Sequence, residues 1–141
     1  MSTNTKILKW SLFAGGVYFS AISLVHMLGN KLPVLFIYFN VPSYAYQDRI
    51  ISFLAFGWAV FFFTAFSDPE KQMALVRAIL IAGAGALAGI GIINAATDFH
   101  SLDTTINPGI FWLEAAGIFI YWLWLVNFYF RSKNNSTGEK S

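Results

Sequence analysis

Four polar residues stand in segments otherwise too apolar to need them, and they are where chemistry would be sought first. His26 closes the first hydrophobic stretch, Asn94 and Asp98 lie four apart near the end of the third, and Glu114 sits less than two turns into the fourth. A histidine and two carboxylates could move protons or hold a ligand, and Asn94 and Asp98 at that spacing share one helix face. Polar groups at membrane depth are costly, so they turn toward a bundle interior or a watery cavity. If the stretches are helices that alternate in direction, all four residues reach similar depths near the outer boundary. They form a candidate outer polar cluster. Each also has a plain structural role open to it: a helix cap for His26, a solvated loop for Asp98, and a hydrogen-bonded neutral acid beside Asn94 or His26 for Glu114.

No reactive constellation accompanies them. His26, His100, Asp98 and Glu114 are suitable metal ligands by type, but no spacing motif joins them, so no metal is expected. Without cysteine, thiol nucleophiles, thiolate ligation, disulfides and S-acylation are all excluded. The run GAGALAGIG, Gly83 to Gly91, has the look of a dinucleotide fingerprint, yet that motif must follow a strand and open a soluble helix. Here it lies inside an apolar span. Gly85 and Gly89 share a face with Ala78, Ala82 or Ile93 and would let another helix approach closely. Gly16, Ser20 and Ser23 make a similar stripe on the first span. No cofactor and no catalytic residue is therefore assigned.

The elements that would position these residues follow from composition. Across 141 residues, 57% are apolar and only 11% charged, a surplus that needs lipid rather than a water-facing surface. A bilayer core of about 30 Å takes about 20 apolar residues as a helix, which satisfies its own backbone polar groups. Four stretches qualify, at about 10–28, 50–66, 73–96 and 110–130. The fold expected is an all-α four-transmembrane-helix bundle, one domain over residues 1–133, with a polar tail at 134–141.

Punctuation supports these bounds. Gly29-Asn30 tolerates the left-handed conformation that closes a helix, and Pro42 would suit an early start of the second span. Asp68-Pro69-Glu70 reads as the cap and first turn of the third span, forcing a tight hairpin, and Asn107-Pro108-Gly109 opens the fourth by the same logic. The first stretch follows Lys6 and Lys9 as a signal peptide would, but a cut after Ala21 would put bulky Phe19 where a small residue is needed, so it reads as a retained span. Between the first two spans, LPVLFIYFNVPSYAY is too apolar for a solvated loop. It is expected to lie in the membrane interface as an aromatic lid or anchor, with Pro33 opening a short helix that ends near Asn40.

Seven Lys and Arg residues flank the N-terminal, C-terminal and second-to-third-span segments, against two, Lys31 and Arg49, on the opposite side. That bias places both termini in the cytoplasm and the protein in the plasma membrane. No basic or acidic tract points to nucleic acid. The lipid bilayer is the expected partner, with a homo-oligomer or a larger membrane complex beside it.

At Glu114, in FWLEAAGIFIYWLWL, the chain resembles the last helix of small DoxX-like four-helix membrane proteins, which often open that helix with a glutamate. The resemblance implies a bacterial inner-membrane protein, in some relatives a companion of quinone-linked oxidoreductases. The loop from Leu32 to Tyr46 and the DFHSLD segment depart from that pattern. Two functions are thus expected in order: a non-enzymatic accessory or interaction subunit, then a lipid- or quinone-linked membrane enzyme or carrier using the outer polar cluster.

Overall fold

The computed structural model describes residues 1–33 and 35–138, with 135–138 as backbone only. Its helices are α1 (Thr3–Met27), α2 (Ala45–Ser67), α3 (Met73–Ala96), the single-turn α4 (Phe99–Leu102) and α5 (Pro108–Gly138). Four of them are long and apolar enough to cross a membrane. Phe53, Leu54, Phe56, Ile81 and Leu113 are all more than 60% exposed, and an apolar surface of that kind belongs against acyl chains. This is a multi-pass helical membrane protein.

Several helix ends lie where local chemistry predicts, and others move. α1 begins at Thr3, ahead of the first apolar residues, because the Ser2 hydroxyl accepts the Thr5 N–H at 3.2 Å and caps it. It ends at Met27 and is closed by Gly29, whose φ of +71° is left-handed, with its N–H on the His26 carbonyl at 3.1 Å. α3 starts at Met73, where the third span was expected, but Asp68 caps a separate turn ahead of it rather than the helix itself, accepting the Lys71 N–H at 3.2 Å. Nor does Pro33 open a helix: among the described residues the segment from 28 to 44 is a series of turns. α5 runs past Arg131 and Lys133 to Gly138, so much of the expected polar tail continues the helix. Residues 139–141 of that tail lie outside the described part.

Packing is most extensive between α1 and α2, while α5 joins α1 to α3 and α2 meets α3 only slightly. Glycine permits the closest contact: a Cβ at Gly15 would collide with the Phe62 ring and the Tyr121 hydroxyl, and one at Gly16 with the Phe63 ring. The main core, near the N-terminal end of α1, holds Leu8, Leu12, Phe62, Val76, Leu125 and Phe128. At the other end, here the distal end, the 28–44 loop is drawn into two further clusters. Phe36 packs with Ile22 and Ala55. Ile37, Tyr38 and Val41 pack against Phe99, Ile106 and Phe111. The loop thereby bridges the α1–α2 pair to the α4–α5 segment.

Candidate functional site

Element order brings the C-termini of α1 and α3 and the N-termini of α2 and α5 to the distal end, so His26, Asn94, Asp98 and Glu114 are all held there. They are served by different partners. His26, on the last turn of α1, is 9% exposed, and its Nδ1 lies 3.6 Å from Asp48 Oδ1 in the first turn of α2. That is within ion-pairing range and beyond a hydrogen bond. Asp48 is fixed from its other side by the Ser43 hydroxyl, which donates to both carboxylate oxygens at 3.1 and 3.2 Å. The Phe36 ring closes over the imidazole at 3.9 Å between centroids.

Asn94, 7% exposed, accepts a 2.8 Å hydrogen bond on Oδ1 from the Tyr38 hydroxyl. Its Nδ2 has no hydrogen-bond partner among the described residues. The Tyr38 ring stacks on Phe99 and meets Phe111 edge-on, at centroid distances of 5.8 and 5.1 Å. Burial pushes the Tyr38 phenol above its ordinary value. Asp98 is exposed, and its carboxylate caps α4 by accepting the Ser101 N–H at 3.3 Å. Glu114 is half-buried on α5, near Tyr18 of α1. Tyr18 in turn donates to the Leu35 carbonyl at 3.3 Å. The common element is therefore the loop, which reaches His26 through Phe36, Asn94 through Tyr38 and the Glu114 neighbour Tyr18 through Leu35.

A pocket of about 330 Å³ opens between the end of α1 and the start of α2, lined by His26, Gly29, Lys31, Ser43, Asp48 and Arg49 among others. Sequence reasoning found His26 but missed Asp48 and Ser43, because it began the second span at Ile50 and left both in the preceding loop. The available signal was an aspartate in the first turn of a helix, where the dipole favours it. No described group of three His, Asp or Glu residues is placed to hold a metal ion.

No family model, curated protein or solved structure matches the chain.

What this arrangement can do follows from its hydrogen bonds. In a serine nucleophile, the hydroxyl must give its proton to the imidazole and the carboxylate must orient that imidazole from behind. Here the Ser43 hydroxyl bonds the carboxylate instead of an imidazole, which orients Asp48 and is not the triad order. The geometry is that of a binding pocket with a fixed carboxylate. The larger cavity, about 650 Å³, is an apolar groove between α1 and α5 lined by Trp10, Ser11, Tyr121 and Trp124. Tyr121 donates to the Ser11 carbonyl at 2.7 Å and Trp124 to the Ser11 hydroxyl at 2.9 Å. Those bonds tie α5 to α1 across the groove.

Proposed function

We propose that this chain is a non-enzymatic accessory or interaction subunit of a bacterial inner membrane, with both termini in the cytoplasm, that works by packing α3 against a helix of another subunit. The observation that carries this reading is the open small-residue face of α3. Ala78, Ala82 and Gly85 are exposed, and a Cβ at Gly85 or at Gly89 on the same face would meet nothing within 4 Å. On α1, by contrast, Gly15 and Gly16 are each covered by an aromatic side chain of a neighbouring helix, which is the kind of close approach a small-residue face allows. A lipid tail fills a groove of small residues less well than a second backbone does.

Purification in mild detergent should yield a homo-oligomer or a stoichiometric partner. Gly85→Ile with Gly89→Ile should disperse it while leaving the melting of the isolated chain unchanged. A wild-type chain that is monomeric and brings down nothing would count against the proposal. Topology is separable: an impermeant reagent applied to intact cells should not label a cysteine introduced at Ser136, and labelling there would reverse the assigned orientation. Kinship with DoxX-like proteins belongs to the same proposal, supported by the four apolar helices and by Glu114 near the start of α5. A lipid- or quinone-linked enzyme or carrier is the second reading, favoured by the polar pocket at the distal end.

A further inference from the structure

The two helix ends around His26 and Asp48 collect the positive charge of the distal end. Lys31 and Arg49 are the only Lys or Arg between the middle of α1 and the start of the α2 span, and neither the 97–109 segment nor the first half of α5 adds another. Both line the same pocket. Set against Asp48, the two cations leave the pocket a net charge of +1 with His26 neutral. The N-terminus of α2, a helix of 23 residues, adds its positive dipole end on the same side.

Much of that charge is uncommitted. Lys31 gives one of its three donors to the Val41 carbonyl at 2.9 Å, which ties it to the loop and leaves two. Arg49 is exposed and makes no hydrogen bond or ion pair with any described residue. The His26 side chain, 10% exposed, lines the same pocket with its Nδ1 turned to Asp48 at 3.6 Å, so neither cation is needed to neutralise that carboxylate alone. Met27 and Leu28 in the pocket lining, and Ile50 and Ile51 directly after Arg49 in α2, are more than 40% exposed, so an anion held here sits near apolar surface meant for acyl chains.

We propose that this pocket is a phosphate site that takes the phosphodiester of a phospholipid headgroup. Arg49 offers the planar fork that matches two phosphate oxygens, and Lys31 supplies a point charge to a third. Asp48, held by Ser43, is left to accept from a headgroup hydroxyl or ammonium, and it repels a bare anion that brings no donor. Inorganic phosphate shares the chemistry of the ligand but not its tail, and the test separates the two sources.

The full chain, purified in detergent and free of carried-over lipid, would be titrated with phosphatidylglycerol, with diacylglycerol of the same chains and with inorganic phosphate, and bound molecules counted by native mass spectrometry. Phosphatidylglycerol should be retained and diacylglycerol not. Arg49→Gln should weaken that retention by about tenfold, and Lys31→Gln with it by more, as loss of a charge-assisted hydrogen bond implies. Arg49 is exposed, so its replacement should leave the melting curve unchanged. Arg77→Gln, the same charge change at the opposite end of the bundle, should have no effect. Retention of inorganic phosphate without the phospholipid would keep the anion site and overturn the lipid assignment. Equal retention of diacylglycerol, or an equal loss on Arg77→Gln, would overturn the site itself.

Discussion

Removing one oxygen atom from the loop should loosen the distal end by a measurable amount. Tyr38→Phe keeps the ring that packs on Phe99 and Phe111 but deletes the hydroxyl that donates to Asn94 Oδ1 at 2.8 Å. Asn94 is 7% exposed and its Nδ2 is already unpaired among the described residues, so the substitution leaves a buried amide with neither of its groups bonded by a side chain. The cost of stranding a buried polar group is about 1–3 kcal/mol, more than the modest net value of an ordinary hydrogen bond. Because the penalty lies with the orphaned amide, removing that amide too should restore stability. Tyr38→Phe combined with Asn94→Leu is expected to be more stable than Tyr38→Phe alone. Equilibrium unfolding in mixed detergent micelles, followed by helical circular dichroism, gives all three values. If Tyr38→Phe stays within about 0.5 kcal/mol of wild type, the range of an inconsequential surface change, the bond does not hold the loop.

Two further outcomes are expected. Gly16→Leu should destabilise the bundle by about 1–3 kcal/mol through collision with the Phe63 ring, whereas Gly57→Leu, with nothing within 4 Å of its Cβ, should stay within about 0.5 kcal/mol of wild type; similar losses at both would refute close packing at Gly16. Asp103 is held below the ordinary aspartate range by the Thr105 N–H and then by the Thr105 hydroxyl, both at 2.8 Å. A depressed folded value means its contribution is present above the unfolded value and disappears as pH falls through the folded one. A carboxyl NMR titration should therefore find Asp103 below the midpoint of an unstructured peptide spanning Leu102 to Asn107, and coincident midpoints would contradict the turn.

The four apolar helices were legible because their signal is local: length and hydropathy within one stretch decide whether a segment suits a bilayer. Gly29 was legible for the same reason, since a left-handed helix end needs only glycine at the right place. The cap of the third span was misjudged, though not its start at Met73, because Asp68, Pro69 and Glu70 satisfy the chemistry of a first turn equally well as a separate turn ahead of the helix. At the candidate site, His26, Asn94 and Glu114 were found by their cost in an apolar setting. Their partners were not. Asn94 pairs with Tyr38, 56 residues away, and no periodicity within a helix encodes which loop residue will fold back onto it. Pro33 misled in the opposite direction, because its fitness for a helix start was overridden once Phe36 and Tyr38 were pulled toward different clusters.

The division of the 28–44 loop between two clusters also bears on the order in which the protein is built. Synthesis delivers α1 and α2 first, and their extensive mutual contact gives the N-terminal hairpin something to fold onto at once. Phe36 can seat immediately, since Ile22 and Ala55 are already present. Tyr38 cannot, because Asn94, Phe99 and Phe111 emerge only with the later helices. Half of the loop is thus a latch that must wait for the other half of the chain, and a nascent hairpin arrested before α5 would display Ile37, Tyr38 and Val41 as an open apolar edge. Completion of the fold is recorded at that edge, by the burial of three side chains that belong to the first-made part of the molecule.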